Sequence, residues 1–425
     1  MADADHVLMR DEYLSRGFRV RVPHLSRAAG VTLTATLLMI SSWIVLHLWV
    51  FGRGQIIDTP VYWHYGEAML NGRVPYRDFQ LEYPPGALPA FVLPALRSET
   101  LLDYRYWFDA LMLVCAICMS GFVAMTLTSL GASLRRTYAS VAFVALAFLA
   151  LGSVVYSRFD VWPALLVSAG IASLVAGPAV VGFAALGLAV AAKLYALVLL
   201  PPALTFIARR VGKREALKGL SVFSLVIAAA FGPFIALAPA GLWESLHRQG
   251  SRPLHIESLG SAVLLTAHQL GAYTPSVAKT FGSDNLVGAL PRGFALVAVL
   301  LQALAIIAVW LLFRRGEASP DRFIVASTAA VTALVAFGKV LSPQFLVWLI
   351  PLVALLSGGL GKRSAALLGT ALVLTQLWFP HHYWALRDLG AIAWVVLVRD
   401  LVLVGLFAVL ANSLRVREET PAPPL

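Results

Sequence analysis

Apolar stretches of about 14 to 25 residues recur along nearly the whole chain, separated by short groups of charged, glycine or proline residues. An α-helix rises 1.5 Å per residue, so stretches of this length match the ~30 Å hydrocarbon layer of a bilayer. Runs near 30–51, 107–130, 137–156, 160–176, 219–237, 289–313, 321–338, 341–357, 364–379 and 388–412 each predict one span. Residues 179–208 are apolar except Lys193; the run is long for one span and is expected to divide there into two. The pattern thus predicts an all-α polytopic membrane protein, a bundle of about twelve transmembrane helices. The piece 259–271 is too short to cross and is expected to be re-entrant or interfacial.

Two longer polar intervals interrupt the apolar runs, at 58–89 and 241–288. The first holds four acids, Asp58, Glu67, Asp78 and Glu82. Within it Thr59 suits a helix N-cap, Pro60 the first helical position and Gly72 the residue after the helix. A short helix over 60–71 is therefore expected to lie along the membrane, with Tyr62, Trp63 and Tyr65 as interfacial aromatics. Asp58 then precedes its N-terminus, where the helix dipole favours a carboxylate, and simple capping is the bland alternative. The following E-Y-P-P-G at 82–86 has a stiff, kinked backbone and either leads the chain back into the bilayer or touches a substrate.

Composition agrees with the pattern. The chain is 59% hydrophobic and 13% charged with a mean hydropathy of +0.80, against ~25% charged for soluble domains. A net charge of +11 resembles a nucleic-acid footprint, but the basic residues sit in short loops and not on one face, so topology explains them and no nucleic acid is expected. Arg135-Arg136, Arg209-Arg210 with Lys213-Arg214, Arg314-Arg315, Lys362-Arg363 and Arg415 mark alternate loops as cytoplasmic. Both termini are expected inside. Residues 1–28 form a basic leader, 29–412 one membrane domain with outer loops at about 52–106 and 241–288, and 413–425 a short tail. About 28 polar residues precede the first apolar run, which is expected to act as an uncleaved anchor. Only Cys115 and Cys118 occur, inside one apolar run, so no disulfide framework is expected.

On this topology the ionisable residues gather at the outer face. They are Asp58, Glu67, Asp78, Glu82, Arg158, Asp160, Lys193, Arg252, His255, Glu257, Lys339, His381 and His382, joined by Gln344. Ionisable groups in or beside apolar spans are expensive and are kept for a site or for mutual pairing. A carrier would place them near the midplane; an enzyme acting on a lipid-borne substrate needs them at one interface. Lys193 in A-A-K-L-Y has no acid adjacent in sequence and suits a phosphate, with snorkelling as the alternative. Arg158 and Asp160 in R-F-D-V-W-P read as a buried pair, as do Arg399 and Asp400 in the last span. Arg252 offers a fork to phosphate, and His255 a proton donor or shuttle. Two adjacent histidines without a spaced third ligand make a poor metal site, so none is expected at His381-His382.

The successive segments D-T-P-V-Y, G-R-V-P-Y-R-D-F with E-Y-P-P-G, R-F-D-V-W-P, A-A-K-L-Y, R-P-L-H-I-E-S-L and K-V-L-S-P-Q-F resemble the motifs of glycosyltransferase family 87 over about residues 50–350. That family belongs to the GT-C class and includes polyprenol-dependent α-mannosyltransferases. The resemblance implies a GT-C-type bundle, a sugar donor on polyprenyl phosphate, a glycolipid or glycan acceptor, and inverting transfer on the extracytoplasmic side of the cell membrane without a cofactor or metal. It implies Asp58 as general base, with Glu67, Asp78 and Glu82 as runners-up. It implies Lys193, Arg252, Lys339 and Arg158 as cations for the donor phosphate. Glu82, Tyr83, His255, Glu257, Gln344 and Asp78 are then expected to contact substrate; His255 stands where relatives often carry glutamine. Mannose is the expected sugar, with arabinofuranose or another pentose as the alternative. A flippase for a lipid-linked sugar and a non-catalytic scaffold are the other readings.

Overall fold

The computed structural model describes residues 25–49 and 56–415. Most of the basic leader and the tail from 416 lie outside the described residues. Among the described residues six helices are long and apolar enough to cross a membrane: α1 (Leu25–Trp49), α4 (Leu101–Ser129), α5 (Leu134–Leu151), α9 (Lys213–Leu237), α12 (Ala289–Arg315) and α16 (Ala393–Arg415). Between α1 and α4 lie α2 (Thr59–Leu70) and α3 (Leu88–Ala95). The remaining apolar runs form α6 (Val161–Ala176), α7 (Ala179–Ala192), α8 (Leu200–Arg210), α13 (Pro320–Ala336), α14 (Leu349–Leu355) and α15 (Gly358–Trp378). Only six of the expected twelve runs therefore form helices that meet the length and apolarity of a span; the others are shorter, broken or less apolar.

The breaks have local causes. At Lys193 the backbone is extended (φ −159°, ψ 124°), α7 ends, and a 3₁₀ turn at Leu194–Leu199 leads into α8. The same plan recurs after α13: an extended stretch through Ser342, a 3₁₀ turn at Pro343–Trp348, then α14. The two turns pack together, Tyr195 lying parallel to Trp348 with centroids 4.0 Å apart. Extended backbone at the ends of apolar runs leaves peptide groups to be satisfied and is tolerated where protein or a cavity surrounds it. Both breaks fall beside the charged residues of the site.

Helices α6, α7 and α13 are the buried layer, and α9 and α12 are the periphery, with exposed leucines such as Leu225, Leu296 and Leu304 facing outward. Lipid tails compete with apolar side chains, so packing inside the bundle depends on small residues and close approach more than on burial. Gly86 shows this. A Cβ there would sit 2.5–2.7 Å from the Ala191 and Ala192 backbone, so only glycine lets the E-Y-P-P-G loop rest on the end of α7.

Among the described residues lies a β-sheet that the periodicity did not predict. Within 241–288, α10 (Pro239–Ser251) and α11 (Leu259–Gln269) flank a three-stranded antiparallel sheet of order β1-β3-β2, from β1 (Leu254–His255), β2 (Ser276–Thr280) and β3 (Ser283–Val287). The membrane bundle is all-α, as expected, and this small sheet sits between its helices. Its strands are short and polar, so no alternating apolar pattern marks them.

Candidate functional site

Helix α2 starts the site. It begins at Thr59 with Pro60 in its first turn, so the capping position belongs to Asp58 and not to Thr59 as expected. The Asp58 carboxylate makes no capping hydrogen bond. It faces the Arg158 guanidinium and accepts from the Tyr62 hydroxyl at 3.4 Å. The Asp58 side chain is 28% exposed and that of Arg158 only 8%, so one end of this pair is open while the other is anchored. Burial pushes Arg158 down to about 10, still protonated near neutrality, and an Nη donates to the Ile56 carbonyl at 3.3 Å. Burial also holds the Tyr62 hydroxyl well above its ordinary pKa, which keeps it a donor.

Tyr62 and Tyr65 are buried against the bundle and not spread along an interface, which corrects the expectation for those two aromatics. Tyr62 stacks on Phe91 at 4.7 Å and meets Phe159 and Tyr83 edge-on at 5.8 Å. These rings set the direction of α2, and hence the place of Asp58.

The expected Arg158–Asp160 pair does not form; each takes another partner. Lys193, which has no acid adjacent in sequence, donates to Asp160 Oδ1 at 2.6 Å, and the Trp348 indole donates to the same oxygen at 2.8 Å. Phe159, Phe345 and Trp348 surround the ammonium at 4.8–5.2 Å, a cation–π cage. Asp160 Oδ2 is buried without a hydrogen-bond partner among the described residues. Two ion pairs, Asp58–Arg158, open at its Asp58 end, and the more buried Asp160–Lys193, thus start from the residues on either side of Phe159 in sequence.

A second buried polar cluster lies under the sheet. His255 is buried with Nδ1 2.6 Å from the Leu341 carbonyl, and burial lowers it to about 4, so the ring is neutral. Glu257 is buried, its Oε2 without a partner among the described residues, and burial raises it to about 8 despite Arg399 and Arg158 nearby. Arg399 pairs with Asp400 at 2.7 Å, both fully buried, and donates to the Glu257 carbonyl at 2.8 Å. Asp284, which the sequence reading did not select, accepts from the Tyr383 hydroxyl at 2.8 Å and faces Arg387 at 3.3 Å.

The other expected residues divide. Glu82 faces Arg252 at 3.6 Å, and the Tyr83 carbonyl accepts from Tyr76 at 2.6 Å. Lys339 donates to the Gly250 carbonyl at 2.7 Å, and the Gln344 carbonyl oxygen accepts from Ser342 at 2.7 Å. Asp78 is not part of the site: it binds Arg77 at 2.9 Å and the Val74 amide at 2.7 Å, a clasp of its own loop, and these bonds hold it down at about 2. His381 and His382 belong to no group of three or more metal-type side chains among the described residues.

Beside Glu82 opens a cavity of ≈230 Å³, lined among others by Glu244, Arg248, Gln249, Arg252 and Phe281. Neither Asp58 nor Lys193 lines it. It joins their neighbourhood through Glu82, since the next residue, Tyr83, packs on Tyr62. The sequence reading missed α10 as one wall of this cavity and the Phe281-Gly282 turn as another.

No family model and no curated protein matches the chain. Among solved structures it is similar to the crystal structure of ArnT from Cupriavidus metallidurans bound to undecaprenyl phosphate, with 14% identity over 91% of this chain and 77% of that one. The TM-score is 0.46, too low to establish a shared fold.

Proposed function

We propose that the protein is a glycosyltransferase that moves a sugar from a polyprenyl-phosphate donor to a hydroxyl of a glycolipid or glycan acceptor. One observation carries the reading: a partly open carboxylate at the end of the first span, Asp58, is left out of helix capping and held against a buried, protonated Arg158. In the proposed step Asp58 takes the proton of the acceptor hydroxyl, the oxygen attacks the anomeric carbon, and the bond from that carbon to the phosphate oxygen breaks. Polyprenyl phosphate leaves with the electron pair, and the anomeric configuration inverts.

Arg158 is the first phosphate cation, because the ligand can exchange for Asp58 on its guanidinium and free the carboxylate as it binds. Arg252 is a weaker candidate, because Glu82 faces it at 3.6 Å and balances its charge. Lys193 and Lys339 are weaker candidates, since Asp160 and a backbone carbonyl already hold them. Mannose, the extracytoplasmic address and cytoplasmic termini are supported by the motif resemblance and the basic loops alone. The scheme assigns no step to a metal.

The test uses native membranes, labelled polyprenyl-phosphate mannose and mild acid, which cleaves a glycosyl phosphate faster than a glycoside. Acid-stable label formed with the wild type and lost with Asp58→Asn is the expected result. Movement of label across the bilayer without acid-stable product would instead identify a flippase.

A further inference from the structure

The cavity beside Glu82 takes no part in the step above. Its ≈230 Å³ lies below the ~300 Å³ at which drug-sized pockets begin, room for one six-membered ring but not for a chain of them. Its charges cancel locally: Arg248 pairs with Glu244 at 2.7 Å, and Arg252 faces Glu82 at 3.6 Å. Two guanidiniums matched by two carboxylates offer little to an anion. They offer a neutral polyhydroxy ligand several donors and acceptors. Gln80 adds an amide that makes no hydrogen bond among the described residues, and Gln249 is fixed by its bond to the Glu82 carbonyl at 2.7 Å.

The apolar wall is more specific. Strands β2 and β3 pair Thr280 with Ser283, so two residues close the hairpin, Phe281 at φ +53° and Gly282 at φ +72°. Two positive φ values define a type I′ turn, whose first position favours asparagine, aspartate or glycine. A bulky aromatic there is a conformational outlier. Core packing does not compensate for it: Phe281 is outside the hydrophobic core and meets no other ring among the described residues. It lines the cavity, while its carbonyl lies 3.4 Å from an Arg252 Nη. An aromatic surface among acids and amides suits a pyranose, with the C–H face of the sugar on the ring and its hydroxyls on the polar groups.

We propose that this cavity is a subsite for one neutral hexopyranose, with Phe281 as its stacking surface and Glu82, Glu244, Gln80 and Gln249 as hydroxyl partners. That the hexose belongs to the acceptor, not the donor, rests on the glycosyltransferase reading above. The donor carries phosphate, for which this locally neutral lining is unsuited, and the occupant lies one residue from the Tyr83–Tyr62 contact that leads to Asp58.

The experiment is saturation-transfer NMR on the full chain in detergent micelles, titrated with methyl α-D-mannopyranoside or methyl β-D-glucopyranoside, and with inorganic phosphate as competitor. Saturable transfer to at least one hexoside that phosphate does not displace is expected. Phe281→Asn puts the favoured Asn-Gly pair in the turn, so the melting temperature should hold or rise while hexoside affinity falls about tenfold or more. Phe281→Trp should retain binding. Absent transfer, displacement by phosphate, or wild-type affinity in Phe281→Asn would each overturn the subsite. The two readings fail separately: Phe281-dependent binding without acid-stable product removes the glycosyltransferase and leaves the subsite. Transfer with an unchanged acceptor KM in Phe281→Asn does the reverse.

Discussion

Replacing Glu257 by glutamine should remove an alkaline loss of stability that the buried cluster under the sheet builds into the wild type. Glu257 rises from an ordinary 4.5 to about 8 on folding, because burial outweighs the attraction of Arg399 and Arg158, with Asp400 and Asp284 adding repulsion. Its protonated form is therefore favoured in the folded state. That stabilisation is complete below pH 4.5 and is lost as pH rises towards 8, at about 1.4 kcal/mol per unit. His255 runs the other way, falling from 6.5 to about 4, so it adds stability as pH rises through that range and nothing further above 6.5. Between 4.5 and 6.5 the two slopes oppose and largely cancel. From there to 8 His255 adds nothing, and Glu257 by itself should cost the wild type about 2 kcal/mol. Unfolding by sodium dodecyl sulfate in mixed micelles at pH 5.5, 6.5, 7.5 and 8 measures this. Glu257→Gln should lose about 2 kcal/mol less than the wild type between pH 6.5 and 8; a variant that keeps the wild-type fall would refute the assignment.

Lys193→Met should strand the Asp160 carboxylate in the bundle with only the Trp348 indole, costing about 3–5 kcal/mol in the same unfolding assay. Full stability with only a raised donor KM would make Lys193 a phosphate ligand and not the partner of a structural pair. Gly241→Ala would push a methyl group into the Tyr76 carbonyl, so α10 and the 76–82 loop should separate at a cost of about 1–3 kcal/mol, read by thermal melting. Tyr62→Phe keeps the rings of the aromatic cluster and removes the hydroxyl that meets Tyr83 and makes the long 3.4 Å contact to Asp58. Its effect on transfer should stay below about tenfold.

The membrane class, the helix after Asp58 and the break at Lys193 were legible because their causes are local. Run length sets the class, Pro60 and Gly72 bound the helix, and one lysine interrupts an apolar run. The partners were not legible. Lys193 meets Asp160 across 33 residues, and Asp160 meets Trp348 across 188. Adjacency in R-F-D suggested an Arg158–Asp160 pair, but φ −125° and ψ 146° at Arg158 mark an extended residue between helical turns, and the two side chains go to different partners. The sheet escaped because five-residue polar strands carry no apolar alternation. Its only local mark was a two-residue loop with glycine second, and phenylalanine in the first position hid that. The cavity is a product of tertiary packing, assembled from the 76–82 loop, α10 and the hairpin tip, and no contiguous motif announces it.

The central claim is that Asp58 deprotonates the acceptor, and the direct measurement is transfer from labelled polyprenyl-phosphate mannose by Asp58→Asn at saturating donor. A positioned general base contributes about 10²–10⁴-fold. Asp58→Asn should lose kcat in that range, with the protein folded and donor binding retained or tightened, because Arg158 no longer faces a carboxylate. An Asp58→Asn enzyme that transfers at the wild-type rate would contradict it.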